Sequence, residues 1–180
     1  MNTVKEVCEF ISNIIDSNPV CIETGCTYCT QEENQIHTTT NNLVDIICCK
    51  NYGYLYSLDI DKEHIELAKT MCENGKDLPI PVSFILGDSV ESMKLLNNTL
   101  KEVNLLCLDS KEFDPDHMVN EYMAIKSKLS KKHFVLVDDI HNDNSVKWIK
   151  MVPILKELNY SFFEVPTPTG LFVSVKGYQL

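Results

Sequence analysis

The chain has 180 residues, 44% hydrophobic and 23% charged, a balance ordinary for one globular domain long enough to bury a full core. Its formal net charge of −10 argues against a nucleic-acid backbone as main partner, because nothing in bulk would neutralise phosphates. No apolar run reaches the length of a membrane span, and acidic residues interrupt the opening MNTVKEVCEF early, so neither signal peptide, anchor nor membrane partner is expected.

Eight cysteines without a secretory leader imply a reducing compartment, with the cytoplasm the default. Cys8, Cys21, Cys48, Cys49 and Cys107 sit in apolar runs and read as small hydrophobes. The one basic run (Lys126, Lys128, Lys131, Lys132) reads as the C-terminal end of a solvated helix, where lysines suit the dipole.

In chain order, residues 2–16 carry Val4, Val7, Phe10, Ile11, Ile14 and Ile15 at helical spacing, and Asn18-Pro19 stops that helix. VCIETG starts a buried strand. A polar stretch, TYCTQEENQIH, separates it from a helix expected over 38–50. The alternation then repeats. GYLYSLDI is a strand, and DKEHIELAKTMCENG a helix closed by Gly75. VSFILGD is a strand, and SVESMKLLNNTL a helix with Glu91 at the third position after Asp88. VNLLCLD is a strand before a helix over 115–129. HFVLVDD is a strand before a helix over 145–159 that holds Pro153 only with a kink. YSFFEVPT and GLFVSVKG then pair antiparallel across a short turn.

Five strand–helix units with near-continuous apolar strands mean a parallel sheet covered on both faces, in one domain over 1–180: an N-terminal helix over 1–17 and a Rossmann-like α/β core over 19–177. In open sheets of this kind ligands bind beyond the carboxyl ends of the strands. Those ends read Glu23-Thr24-Gly25, Asp59-Ile60-Asp61, Gly87-Asp88-Ser89, Asp109-Ser110 and Asp138-Asp139. A purely structural sheet has no reason to gather so much negative charge at one edge.

The ordered set VCIETG, YSLDID, FILGDS, LLCLDS and VLVDD, followed by a hairpin, resembles the successive motifs of class I S-adenosylmethionine-dependent methyltransferases, from Val20 to Lys176. The resemblance implies a three-layer sandwich around a seven-stranded sheet in order 3-2-1-4-5-7-6 with strand 7 antiparallel, and S-adenosylmethionine as cofactor. It also implies roles. Gly25 would let the backbone pass close to the methionine part, with Glu23 and Thr24 bordering the same turn. Asp59 would accept from both ribose hydroxyls. Asp88 and Ser89 would contact adenine, and Asp109 would border the cofactor.

Asp109, Asp138 and Asp139 would bring three carboxylates together on neighbouring strands, an arrangement a hard divalent cation resolves. This is similar to metal-dependent O-methyltransferases of the catechol and cephalosporin-hydroxylase-like type, where such sets hold magnesium. The implied reaction is methyl transfer from sulfonium to a small-molecule hydroxyl, with Mg2+ lowering the acceptor's pKa. Lys111 and His141 are the candidate bases.

Cys26-Thr-Tyr-Cys29 has the spacing of a redox dithiol or half a zinc site. A dithiol of the thioredoxin kind opens a helix directly, whereas here TQEENQIH intervenes. A zinc site would need Cys48-Cys49 or His37, and the cysteine pair lies on a helix whose apolar face is committed to the core. These cysteines are expected in a loop beside the cofactor. The loop carries one glycine rather than a glycine-rich run, so a methyltransferase-like domain that binds without turnover stays open. A nicotinamide-binding oxidoreductase is weaker, because G-x-G-x-x-G is absent. The acceptor is not readable, and a homodimer stays open.

Overall fold

Strands that are apolar on both sides need cover on both faces, and the computed structural model, which describes residues 1–26, 39–73 and 81–179, supplies it. The sheet comprises β1 (Val20–Thr24), β2 (Tyr54–Asp59), β3 (Val82–Leu86), β4 (Val103–Leu108), β5 (Leu129–Asp138), β6 (Ser161–Val165) and β7 (Leu171–Lys176). Their spatial order is β3-β2-β1-β4-β5-β7-β6. The first five strands pair in parallel, and β7 runs antiparallel to both β5 and β6. Order and directions are those the resemblance implied.

The two-residue period of a strand sends successive side chains to opposite layers. Cys21, Leu105, Phe134 and Leu136 meet the layer holding α1 (Val4–Ile14). The same layer holds a second helical stretch formed by α2 (Thr39–Asn42), a π-helical segment Leu43–Cys48 and α3 (Cys49–Asn51). Ile22, Leu106, Val135 and Val137 meet α5 (Ser89–Thr99), α6 (His117–Ile125) and α7 (Trp148–Glu157) on the other face. The remaining helix, α4 (Lys62–Glu73), packs Ile65 and Ala68 beside Cys26 and Phe84. Thr3 caps α1, its hydroxyl accepting from Glu6 N–H at 3.2 Å, and Asp88 caps α5 by accepting from Glu91 N–H at 3.0 Å.

Three boundaries differ from the sequence expectation. The helix expected over 115–129 covers only His117–Ile125, followed by a 3-10 turn Lys126–Lys128. β5 then begins at Leu129, which pairs with Val103, so Lys131 and Lys132 lie in the strand rather than at a helix end. The helix expected from 145 starts at Trp148, because Ser145 and Val146 turn back to donate to Asn142 O and Glu112 O. Thr38 and Gly75, expected at helix ends, lie outside the described residues, and among those described no helix is long and apolar enough to cross a membrane.

Phe134, fully buried on β5, is among the largest side chains of the core. Phe134→Ala is expected to lower unfolding stability by about 3–5 kcal/mol in urea denaturation, without changing the far-UV circular dichroism of the folded state.

Candidate functional site

A cavity of about 600 Å³ opens beyond the carboxyl ends of the parallel strands, within the range of small-molecule and cofactor sites. Gly25 and Cys26 after β1, Asp59 and Ile60 at the end of β2, Asp88 and Ser89 after β3, Asp109 to Glu112 after β4, and Asp138 and Asp139 at the end of β5 all line it.

The turn after β1 is fixed by contact with β4. Gly25 has φ +78, and a Cβ there would lie 1.9 Å from the Asp109 carbonyl oxygen. Its glycine is therefore required by the neighbouring strand end, a constraint separate from any approach of a cofactor. The Thr24 hydroxyl and carbonyl both accept from Asp109 N–H, at 3.2 and 3.1 Å. Glu23 and Thr24, expected to border the cofactor turn, are fully buried and do not reach the cavity wall. Glu23 accepts from Thr40 Oγ1 at 2.7 Å and Ser57 Oγ at 2.8 Å, in the layer opposite Thr24.

Asp59 is buried, yet its carboxylate faces the cavity. Oδ2 accepts from Cys26 N–H at 2.9 Å and Oδ1 from Asp61 N–H at 2.8 Å. His64 Nδ1 also lies 3.4 Å from Oδ2, and beside these contacts the carboxylate keeps lone pairs with which to accept from a diol. Ile60 beside it is 76% exposed and offers an apolar surface for a flat ring. Ser89 is less free than its strand-end position implied. Its hydroxyl donates to Glu121 Oε1 and stands 3.0 Å from His117 Nε2. Ser110 Oγ donates to the same Glu121 oxygen at 2.5 Å, and Thr24 Oγ1 to Oε2 at 3.3 Å. The fully buried Glu121 thereby ties α6 to the ends of β1, β3 and β4, and its bond to His117 raises that imidazole's pKa.

The expected metal set is rearranged. Asp109 and Asp139 converge, and the third carboxylate beside them is Glu112 rather than Asp138. Lys147 Nζ lies between them, 2.5 Å from Asp109 Oδ1, 2.8 Å from Glu112 Oε1 and 2.7 Å from Asp139 Oδ2. The Lys147 side chain is fully buried. Burial opposes its charge, but Asp109 and the bonds to Asp139 and Glu112 outweigh that and hold its pKa above the usual lysine range. Burial and the Asp138 carboxylate push Asp109 upward, and the ammonium opposes them. A divalent cation bound by this set would meet that ammonium at contact distance, so the donors as arranged do not fit one. Asp138 instead receives Asp139 N–H at 2.8 Å, and burial raises its carboxyl to about 6.

Of the two candidate bases, Lys111 lines the cavity and its ammonium lies 3.3 Å from Asp114. His141 lies off the cavity wall, against Gly170 and 3.7 Å from Glu164. Lys111 and Asp139 both have positive φ, 39° and 61°, so the loops after β4 and β5 carry backbone strain where they aim their side chains. Cys26 lines the cavity, but burial pushes its thiol up to about 12, which gives no reactive thiolate. Its partner in the C-x-x-C, Cys29, and the zinc candidate His37 lie outside the described residues. Cys48 is fully buried in the core, away from the cavity wall. Glu112, Glu121 and Lys147 went unmarked in the sequence. Only the His117/Glu121 i, i+4 spacing signalled a pair.

No protein-family model matches the chain, and no curated protein matches it by sequence. Solved structures do. A protein assigned as a methyltransferase from Streptococcus mutans, in complex with SAH, superposes with a TM-score of 0.65 at 14% identity over 98% of each chain. One assigned as a caffeoyl-CoA O-methyltransferase from Staphylococcus aureus gives 0.65 at 14% identity, over 97% of this chain and 82% of that one. The O-methyltransferase TomG from Streptomyces achromogenes, in complex with SAM, gives 0.67 at 11% identity, over 96% and 78%. The fold is that of the class I S-adenosylmethionine-dependent methyltransferases. On this methyltransferase fold the cavity occupies the strand-end edge where such sheets take their ligands.

Glu23 supplies a pH test of the turn's foundation. Burial, outweighing the two hydroxyl donors, pushes its carboxyl up to about 7. Between the ordinary carboxylate range and that value the folded chain keeps a proton that the unfolded chain has released, so stability from this group falls as pH rises. Glu23→Gln removes that uptake. Its stability relative to the parent is expected to rise by on the order of 1–3 kcal/mol between about pH 5 and pH 8 in urea denaturation.

Proposed function

We propose that the protein is an S-adenosylmethionine-dependent methyltransferase acting on a hydroxyl oxygen of a small molecule. The observation that carries the reading is Asp59: a buried carboxylate at the end of β2, held by backbone N–H groups and facing a cavity of cofactor size. Its two oxygens match the paired hydroxyls of a ribose. Ile60 then offers its exposed face to the adenine, Asp88 and Ser89 border the ring's edge, and the Gly25 turn lies nearest the methionine part.

The cofactor, when bound, supplies an electrophilic methyl group on a positively charged sulfur. The acidic strand ends around Gly25 and Asp109 suit that positive charge. Asp138 is the residue we assign to the acceptor's proton: it lines the cavity, lies on the strand next to Asp109, and has a carboxyl raised to about 6, within range of a base at neutral pH. With the cofactor bound to supply its methyl group, Asp138 would take the proton of the acceptor hydroxyl. Lys111 at the cavity mouth serves orientation of the acceptor. A cytoplasmic location suits the abundance of free thiols, of which Cys8, Cys21, Cys48, Cys72 and Cys107 are buried.

Isothermal titration with S-adenosylhomocysteine tests the cofactor site. Micromolar binding is expected, weakened at least about tenfold in Asp59→Ala, which loses two charge-assisted hydrogen bonds. Equal affinity in the parent and in a folded Asp59→Ala variant would contradict the assignment.

A further inference from the structure

We infer that Lys147 is a built-in cation, its ammonium occupying the place within the strand-end carboxylates that a divalent metal would take, and that methyl transfer here proceeds without a metal. The inference deepens the methyltransferase reading and rests on it for its catalytic meaning.

Lys147 immediately precedes α7, where the positive end of the helix dipole disfavours an ammonium. It is nonetheless fully buried, a state lysines adopt only when paired. Three carboxylates from two loops explain it: Asp109 and Glu112 after β4, and Asp139 after β5. These oxygens lie close enough together to form one cation site, and Nζ contacts all three. An ammonium donates three hydrogen bonds, and here three carboxylate oxygens receive them. The arrangement does the structural part of a metal's work, holding Asp109 and Asp139 in fixed positions against their repulsion. It also leaves Asp138 outside the cluster and facing the cavity. Lys147 is thus a positioning residue, acting through the carboxylates it holds. The backbone confirms the clamp: Val146 N–H donates to Glu112 O at 3.0 Å, so the segment before α7 is tied to the loop after β4 beside the ammonium.

The test is Mn2+ uptake, followed by electron paramagnetic resonance of the free ion, in the parent chain, in Asp109→Asn, in Lys147→Ala and in Lys147→Ala/Asp109→Asn. The parent is expected to take up no Mn2+ at its strand ends. Lys147→Ala, which opens the triad, is expected to gain one Mn2+ site absent from the parent, and the double variant to bind at least about tenfold more weakly than Lys147→Ala. Should Lys147→Ala fail to fold, Lys147→Gln, which is one bond shorter and uncharged but keeps a donor, takes its place. Parent binding of Mn2+ that Asp109→Asn abolishes would overturn the proposal, as would a folded Lys147 variant that gains none. S-adenosylhomocysteine is titrated into the same samples. Its failure to bind would remove the methyltransferase reading, while the Mn2+ result would still decide the nature of the cation.

Discussion

Electrostatic repulsion at one edge of the sheet is the constraint the rest of the structure answers. Five parallel strands end in Glu23, Asp59, Asp88, Asp109 and the Asp138-Asp139 pair, and parallel packing brings those ends together. Each carboxylate is stabilised in a different way. Asp59 accepts backbone N–H groups, Asp88 caps α5, and Glu23 is buried with two hydroxyl donors and a raised pKa. Asp109 and Asp139 share the Lys147 ammonium. Local solutions of this kind keep several negative groups near one cavity without a general collapse of the edge. Under the proposed function, a positively charged sulfonium gains from what remains.

The two faces of the edge are braced separately. On the α2 side, Glu23 joins Thr40 to Ser57 beneath the Gly25 turn. On the α6 side, Glu121 gathers Thr24, Ser89 and Ser110. Between them, Gly25 lies against the Asp109 carbonyl so closely that no side chain fits. The positions of Asp59 and Asp109 relative to each other follow from that contact, because β1 lies between β2 and β4. Cavity shape is therefore a property of the sheet's register rather than of the loops alone.

How much of this was legible depended on whether the signal was local. VCIET, YSLD and VLVD are apolar runs ended by a carboxylate, so both the strands and their chemistry could be read directly from the residues. The order of the strands followed from the resemblance those motifs carry. Side-chain direction in loops was not legible. Lys147 looked like one more lysine of an amphipathic helix from 145, and only the turn at Ser145 and Val146 aims it inward. His141 sat beside the Asp pair in sequence, yet the hairpin draws it to Gly170 and away from the cavity. The π-helical segment Leu43–Cys48 had no signature in a pattern that fits a helix of any winding.

The central claim is that the strand-end edge holds an adenosyl cofactor by its ribose on Asp59. A crystal structure of the protein grown with S-adenosylhomocysteine tests it most directly. The account predicts the ribose hydroxyls within hydrogen-bond distance of Asp59, the adenine against Ile60, and the sulfur beside the Gly25 turn. Ligand density at another edge of the sheet, or an adenosine moiety with its ribose turned away from Asp59, would contradict it.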